Sequence, residues 1–184
     1  MNNIYHTVVI GGGCLGVASA ISLARKLNSS KTGTNVCILE KSVLAGGISS
    51  RHSGIIRSAN ASIQAATFAE QSNEMWRNIK DFWGIDIIPE TPGAIWIARN
   101  DKKEAAKTWI DLEKNLNKSN IDFYRIKSKE IEELTNSFIR INEEHEIYFH
   151  EPNAMLFDPI KVRNAMYRAL DINNVKLKEN TRVT

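Results

Sequence analysis

Three glycines with the spacing Gly11-x-Gly13-x-x-Gly16 constrain the fold of this chain more than any other feature. They follow a short apolar run at 5–10, which predicts a buried β-strand, and they precede small and apolar residues at helical spacing over 16–27. A second apolar run follows the predicted helix, so the order is strand, glycine turn, helix, strand. The two strands of such a unit must be parallel. The sequence therefore predicts an α/β fold with a Rossmann-like βαβ unit near its beginning.

The second strand of this unit, at 36–40, ends in an acidic residue, Glu40. In that context Gly11 permits a tight turn, Gly13 lets the backbone approach a pyrophosphate, and Gly16 lets the helix pack closely on the strand. Glu40 would accept hydrogen bonds from ribose hydroxyls, and a polar loop at 28–35 accounts for its distance from the glycines. NAD and FAD both carry an ADP moiety, so the motif leaves the choice between them open.

Downstream, the hydrophobic pattern predicts a mixture of helices and strands, and no internal repeat is present. The predicted helices are 62–83, 101–118, 129–134 and 159–170, and the predicted strands are 85–88, 94–98, 121–126, 146–150 and 175–178. The strands at 85–88 and 94–98 are separated by a Pro/Gly-rich turn, which is typical of a β-hairpin or meander.

Local signals mark several helix ends. Asp101 followed by Glu104 resembles a capping box, and Asp158-Pro159 is an N-cap with proline at the first helical position. Gly84 is a natural C-terminal stop for the helix at 62–83. Apolar residues of that helix, including Phe68 and Phe82, fall mostly three or four apart, and its methionine and tryptophans, Met75, Trp76 and Trp83, are predicted to be core residues.

Composition and charge exclude several classes of protein. The chain is 42% hydrophobic, which excludes a disordered tail. Its 24 Lys and Arg residues are nearly balanced by 21 Asp and Glu residues without forming a basic patch, so a nucleic-acid partner is not expected. Cys14 and Cys37 are too few for a disulfide framework and have no metal-type spacing, which indicates a reducing compartment.

Residues 7–24 form an uncharged stretch that at first resembles a signal peptide or a membrane span. No Lys or Arg precedes it, and glycines interrupt it. We therefore expect no membrane span and a cytoplasmic location.

Two histidines, His145 and His150, lie among four glutamates, Glu143, Glu144, Glu146 and Glu151. Residues five apart share neither a helix face nor a strand face. We therefore predict solvated polar positions and no metal site.

A Gly/Ser-rich loop at 45–58, with two arginines and a histidine, follows the second strand in place of another crossover helix. Together with the glycine motif, the segment Ser50-Arg51-His52-Ser53-Gly54-Ile55-Ile56-Arg57-Ser58 resembles the FAD-dependent amino-acid oxidase family, which includes D-amino acid oxidase, glycine oxidase and sarcosine oxidase types. It is most similar to the β-subunits of multimeric sarcosine oxidases and to dye-linked proline dehydrogenases. The segments 75–79, 93–98 and 155–159 also resemble family segments, so the resemblance covers essentially the whole chain.

The resemblance implies FAD as the cofactor and assigns residues to it. Gly11, Gly13, Cys14, Leu15 and Gly16 would line the pyrophosphate, Glu40 and Lys41 the adenosine ribose, and Ser49, Ser50, Arg51, His52 and Gly54 the flavin side. His52 lies near a flavin-linked histidine of dimethylglycine-type enzymes, one residue out of register. From the residues alone, Cys14 is a spacer within the motif.

Arg57 matches an arginine that in some sarcosine oxidases helps to hold the substrate carboxylate, a task that suits bidentate guanidinium geometry. The alternative is a surface or phosphate-neutralising cation. No side chain is assigned a catalytic proton transfer.

The resemblance implies a Rossmann-like FAD-binding domain interleaved with part of an α+β substrate-binding domain. The expected division is 1–84 and 151–184 for the FAD-binding domain and 85–150 for the substrate-binding part. Family members are longer, so the chain is expected to be an N-terminal part from which the C-terminal half of the family fold is absent.

The function implied is oxidation of the C–N bond of a small amino acid or secondary amine, sarcosine-, proline- or glycine-like, by hydride transfer to the flavin. A partner subunit or an electron acceptor is also implied. Two alternatives are a noncatalytic FAD-binding module or partial subunit, and an NAD(P)-dependent Rossmann dehydrogenase.

Overall fold

The computed structural model describes residues 4–29, 35–60, 62–142 and 144–184. Part of the predicted loop at 28–35, and Glu143, lie outside these ranges. The helices are α1 Cys14–Ser29, α2 Ile63–Arg77, α3 Ile79–Trp83, α4 Lys103–Lys118, α5 Ser128–Thr135 and α6 Pro159–Ile172. The strands are β1 Thr7–Ile10, β2 Val36–Leu39, β3 Ile55–Ile56, β4 Ala94–Arg99, β5 Tyr124–Ile126, β6 Glu146–Glu151, β7 Met155–Leu156 and β8 Lys176–Lys178.

The chain divides into two compact units. Unit 1 comprises Met1–Gly54, Arg77–Ile88 and Phe157–Thr184, and unit 2 comprises Ile55–Trp76 and Pro89–Leu156. Residues 55–76 and 151–156 lie with unit 2, whereas the sequence places them in the FAD-binding domain, and residues 85–88 lie with unit 1, whereas the sequence places them in the substrate-binding part. The functional assignment of the two predicted domains stays a prediction.

Unit 1 contains a parallel three-stranded sheet with the order β1-β2-β8. Helices α1 and α6 pack on each other, and α1 covers β1 and β2. The core combines small helical residues with the fully buried strand β2, and it includes Val17, Ala20, Ile21, Val36, Cys37, Ile38, Ala165 and Met166. The βαβ unit and the α/β fold class predicted from the sequence are confirmed.

Strand β1 differs from the expectation of a strand buried on both faces. Val8 is 46% exposed and Ile10 is 69% exposed, while Thr7 and Val9 are partly covered. Because successive side chains of a strand point to opposite faces, the exposed residues share one face of β1. The apolar run correctly predicts the strand, whereas its burial depends on neighbours that are remote in sequence.

Unit 2 contains an antiparallel sheet with the order β4-β6-β5 and a short antiparallel pair, β3 and β7. Helix α4 packs on β4 and β5. The core between them is rich in aromatic rings, and it contains Ala98, Leu112, Leu116, Ile121, Phe123 and Phe149. Phe123 and Phe149 stack with ring centroids 5.1 Å apart.

The helix predicted at 62–83 is two helices, because the chain leaves helical geometry at Asn78 between α2 and α3. Gly84 ends α3 in the left-handed conformation, as predicted. The prediction of a core position is wrong for Met75, which is 40% exposed, whereas Trp83 is buried as predicted. Phe68 and Phe82, which also fit the apolar spacing, are exposed. The buried positions of α2 are Ala66 and Asn73, which lie two turns apart on one face.

The hairpin predicted from 85–88 and 94–98 is also wrong. Strand β4 pairs with β6, and residues 85–88 form no strand. Glu90 instead makes an isolated bridge to Leu156. The Pro/Gly-rich turn therefore does not determine the pairing. Strand β4 pairs instead with β6, about fifty residues further along the chain.

The two predicted N-caps have different outcomes. The Asp101 carboxylate pairs with Arg99, and α4 begins after Lys102 without a side-chain cap, so the capping box is wrong. Asp158 caps α6 as predicted, accepting from the backbone N–H of Ile160 at 2.8 Å and of Lys161 at 3.4 Å.

Among the described residues, no helix has the length and apolar character needed to cross a membrane.

Candidate functional site

The glycine turn of unit 1 requires glycine at two positions for different reasons. Gly11 has a φ of +102°, a conformation that side-chain-bearing residues rarely adopt. A Cβ at Gly16 would lie 2.0 Å from the carbonyl oxygen of Gly11, so α1 can approach the end of β1 only without a side chain there. This is the close contact that the motif predicts, and it brings the N-terminus of α1 to the carboxyl end of the parallel sheet.

Glu40, at the end of β2, ties the glycine turn to the sheet. Its Oε2 accepts from the backbone N–H of Gly12 at 2.7 Å, and its Oε1 accepts from that of Ser42 at 2.8 Å. These two backbone hydrogen bonds lower the pKa of Glu40. Each carboxylate oxygen has a second lone pair, so the group retains capacity to accept from ribose hydroxyls.

A second side chain reaches the turn from the loop after β2. Ser49, in a short 3-10 helix at Ile48–Ser50, accepts through its Oγ from the backbone N–H of Cys14 at 3.1 Å. The amide concerned is the first of α1, which is where an anion would bind. Cys14, predicted at the pyrophosphate, and Ser49, predicted at the flavin side, therefore touch each other directly. Both roles stay predictions.

The remaining predicted cofactor residues surround this turn or follow it in the loop. Leu15 is 86% exposed, and Lys41, Arg51 and His52 are exposed as well. The imidazole Nδ1 of His52 accepts from the backbone N–H of Gly54 at 2.9 Å, which closes a tight turn at the end of the loop. Ser50 donates from its hydroxyl to the carbonyl of Gly47 at 3.3 Å.

A cavity of about 160 Å³ opens beside Glu40. Its lining combines the ends of β1 and β2 with the segment after β8, where the backbone N–H of Thr181 donates to the carbonyl of Glu40 at 2.8 Å. The lining residues are Ile10, Gly11, Leu39, Glu40, Lys41, Thr181, Arg182 and Val183. Glu40 and Lys41, predicted at the ribose, thus line one cavity, and sequence reasoning missed the three residues after β8.

In unit 2, Arg57 lies at the mouth of a different cavity of about 430 Å³. Its guanidinium carbon is 4.3 Å from the centroid of the Trp96 ring, and it donates to the carbonyl of Ala59 at 3.0 Å. The other lining residues are Ala59, Asn60, Thr108, Trp109 and Leu112. A cation beside indole rings and an aliphatic side chain suits a small anion with an apolar body.

The prediction that the polar residues at 143–151 are solvated is wrong for two of them. His150 and Glu151 are buried because they lie on β6, the central strand of its sheet. The Tyr124 hydroxyl lies 3.1 Å from Nδ1 of His150, and burial lowers the pKa of the His150 imidazole. The side chain of His145 is half exposed, and no group of metal-ligating side chains occurs within the described ranges.

Comparisons with known proteins agree with this geometry. Residues 6–184 match the DAO family model, described as FAD dependent oxidoreductase. The chain belongs to the DAO family.

Among curated relatives of this DAO family chain, the sarcosine oxidase subunit beta of Arthrobacter sp is 34% identical over 94 residues, which are 51% of the chain and 22% of the relative. The sarcosine oxidase subunit beta of Rhizobium meliloti (strain 1021) is 28% identical over 104 residues, 56% of the chain and 24% of the relative. The aligned segments thus span about a quarter of these relatives.

Solved structures share the fold. The L-proline dehydrogenase from P. horikoshii has a TM-score of 0.79 at 23% identity, over 100% of this chain and 46% of that one. Glycine oxidase from Geobacillus kaustophilus has a TM-score of 0.77 at 22% identity, over 97% and 47%. The chain therefore spans about half the length of these structures.

The residues present in unit 1 fit the family's cofactor. The close approach at Gly16 leaves the amides at the start of α1 at the edge of the sheet, and Glu40 adds a carboxylate beside a cavity. Amides and a helix dipole suit a pyrophosphate, and a carboxylate suits ribose hydroxyls. Membership of a family of FAD dependent oxidoreductases favours FAD over the NAD(P) alternative.

Proposed function

We propose that this chain is part of an FAD-dependent oxidoreductase that oxidises the C–N bond of a small amino acid or secondary amine. The observation that carries the proposal is the glycine turn joined to Glu40 by the 2.7 Å hydrogen bond from Gly12, in a chain that matches the DAO family over residues 6–184. The named substrates of its relatives, sarcosine, proline and glycine, are small amino acids.

FAD would be held chiefly by unit 1. The backbone of Gly11, Gly13, Cys14, Leu15 and Gly16 would bind the pyrophosphate, and Glu40 and Lys41 would bind the adenosine ribose. Ser49, Ser50, Arg51, His52 and Gly54 would lie on the flavin side. The cavity lined by Glu40 and Lys41 supports the assignment to the ribose. The Ser49–Cys14 hydrogen bond brings the pyrophosphate group and the flavin-side group of residues together.

Arg57 of unit 2 would bind the substrate carboxylate. Its guanidinium stacks on Trp96 and lines a cavity whose walls are largely apolar, so a carboxylate would meet a cation beside apolar surface. The alternative is a surface or phosphate-neutralising cation, since Arg57 is exposed although it stacks on an indole.

FAD, when bound, would supply a hydride acceptor for oxidation of the substrate carbon that bears the nitrogen. The residues of this chain bind and orient, and none of them is assigned a proton transfer. Glu40 and the amides of the turn hold the nucleotide end, and Arg57 fixes the carboxylate end of the substrate.

A second subunit is also proposed, because both curated relatives are beta subunits. The alternative function is a noncatalytic FAD-binding module that completes its site with such a partner. Reduction of the flavin by substrate distinguishes the two functions.

The test is anaerobic reduction of the FAD-loaded holoenzyme, followed at the visible flavin absorbance, with sarcosine, proline, glycine and D-amino acids offered separately. Bleaching by at least one of them supports the enzyme, and failure with all supports the noncatalytic module. Arg57→Gln should raise KM roughly ten- to a hundredfold, the worth of a hydrogen bond to a charged group. Arg99→Gln, which removes an exposed cation paired with Asp101 in the same unit, is the matched control.

A further inference from the structure

Glu151 is the one buried carboxylate among the described residues, with 1% of its surface exposed. It lies at the end of β6 in unit 2, although the sequence predicts a solvated side chain there. A buried carboxylate is unfavourable unless hydrogen bonds compensate it. Its partners therefore indicate what it does.

Three N–H groups satisfy Glu151. The backbone N–H groups of Ser58 and Ala59 donate to Oε1, the second at 3.2 Å. The indole N–H of Trp96 donates to Oε2 at 3.0 Å. Glu151 thus fixes both the segment that follows Arg57 and the ring on which Arg57 stacks.

The Trp96 ring contacts both charges. Its N–H edge binds the Glu151 carboxylate, while its face carries the Arg57 guanidinium, 4.3 Å from the ring centroid. The guanidinium donates to the Ala59 carbonyl. Within the described part of the chain, Arg57 and Glu151 form no ion pair, although both lie against one side chain.

We propose that Trp96 is a positioning residue that keeps Glu151 from pairing with Arg57, so that the guanidinium stays available at the cavity for a ligand carboxylate. The inference rests on the proposed carboxylate-binding role of Arg57. The indole N–H, and not the aromatic ring alone, then determines the affinity of Arg57 for the carboxylate. When that N–H is lost, Glu151 competes with the substrate for Arg57.

The proposal predicts that Glu151→Gln has opposite effects on carboxylate affinity in the parent and in Trp96→Phe. In Trp96→Phe, Oε2 of Glu151 loses its donor, and Arg57 is the cation placed to replace it, so an internal ion pair competes with the ligand. In Glu151→Gln, the amide oxygen serves the two backbone N–H groups while the amide NH2 opposes the indole N–H, which displaces Trp96. In the double variant there is neither a competing carboxylate nor a clash between donors.

The experiment titrates the FAD-loaded holoenzyme with cyclopentanecarboxylate, a carboxylate without an oxidisable amine, by calorimetry. Cyclopentanecarboxamide is the uncharged control ligand. The proteins are the parent, Trp96→Phe, Glu151→Gln, the double variant and Arg57→Gln. Trp109→Phe with and without Glu151→Gln is the matched control, because Trp109 lines the same cavity and contacts Trp96 through its ring.

We expect Trp96→Phe to weaken carboxylate binding roughly tenfold, because the ligand must then displace Glu151 from the guanidinium. Adding Glu151→Gln should restore the affinity of Trp96→Phe close to that of the parent, and it should bring no gain to Trp109→Phe. If the double variant binds no more tightly than Trp96→Phe, the inference is overturned while the role of Arg57 stands. If Arg57→Gln binds as tightly as the parent, the substrate role of Arg57 fails, and the inference fails with it.

A second variant keeps the proposal testable if Trp96→Phe fails to fold. Benzothienylalanine, incorporated at position 96, replaces the indole N–H by sulfur and keeps the shape of the ring. It should weaken carboxylate binding as Trp96→Phe does and should be rescued by Glu151→Gln. Parent-like affinity would show that the N–H is irrelevant and overturn the proposal.

Discussion

The backbone N–H of Gly12 donates to the carboxylate of Glu40 at 2.7 Å, which joins the glycine turn to the end of the neighbouring strand. The same carboxylate accepts from the backbone N–H of Ser42. Glu40 therefore has a structural role in the turn before any nucleotide binds to it, and its ionisation should couple to stability.

The first prediction concerns the acid dependence of stability at Glu40. Backbone hydrogen bonds lower its pKa from 4.5 in the folded chain, so the unfolded chain binds the proton more tightly. The stabilisation is fully present above that ordinary pKa and is lost as the pH falls through the lowered value. Urea midpoints measured from about pH 6 to about pH 3 should fall less steeply in Glu40→Gln than in the parent. Identical slopes would contradict the prediction.

The second prediction concerns the close approach at Gly16. In Gly16→Ala, the new Cβ would meet the Gly11 carbonyl oxygen at 2.0 Å, so α1 must move away from the turn. We expect the free energy of unfolding to fall by about 1–3 kcal/mol and FAD retention to be lost. Denaturant unfolding and the flavin absorbance of the purified protein measure the two effects. Ser19→Ala, at an exposed position of α1, should retain both properties of the parent.

Much of unit 1 is predictable from the sequence because its signals are local. The tight turn at Gly11, the close approach at Gly16, the cap at Asp158 and the stop at Gly84 each act within a few residues, and the structure confirms them. The burial of His150 and Glu151 has no such signal, since it arises from β4 and β5 on either side of β6. The same pairing overrides the hairpin expected at 85–98. A polar segment on an exposed strand and one on a central strand look alike in sequence. They differ in the strands that flank them, and those strands are distant in sequence.

The third prediction concerns His150. Burial lowers its pKa from 6.5, so the unfolded chain binds this proton more tightly and stability rises with pH through the interval between the two values. The parent should therefore lose stability as the pH falls below about 6.5. His150→Asn should show a flatter profile in this interval, as measured by thermal unfolding. His145→Asn is the control for loss of an imidazole at a half-exposed site of the same unit, and a profile of His150→Asn as steep as the parent's would exclude the explanation.

The fourth prediction concerns the cap of α6. Asp158→Ala removes the acceptor for the backbone N–H groups of Ile160 and Lys161 and should cost about 1 kcal/mol of the free energy of unfolding. Asp158→Asn keeps a capping oxygen and should cost much less. Urea titrations of the parent, Asp158→Ala and Asp158→Asn at one pH measure the free energies of unfolding. Equal losses in the two variants would point to the charge rather than to the cap.

The pairing of β2 with β8 has a consequence for biosynthesis. Cys37 lies beside Lys176 in the sheet, so one strand of the pair leaves the ribosome long before the other exists. Between them the chain makes the whole of unit 2, whose own sheet is complete once β6 has emerged. A nascent chain arrested after residue 156 would hold all the strands of unit 2 and only two of the three parallel strands of unit 1. The glycine turn, although encoded first, thus lies in a sheet that is among the last parts of this chain to form.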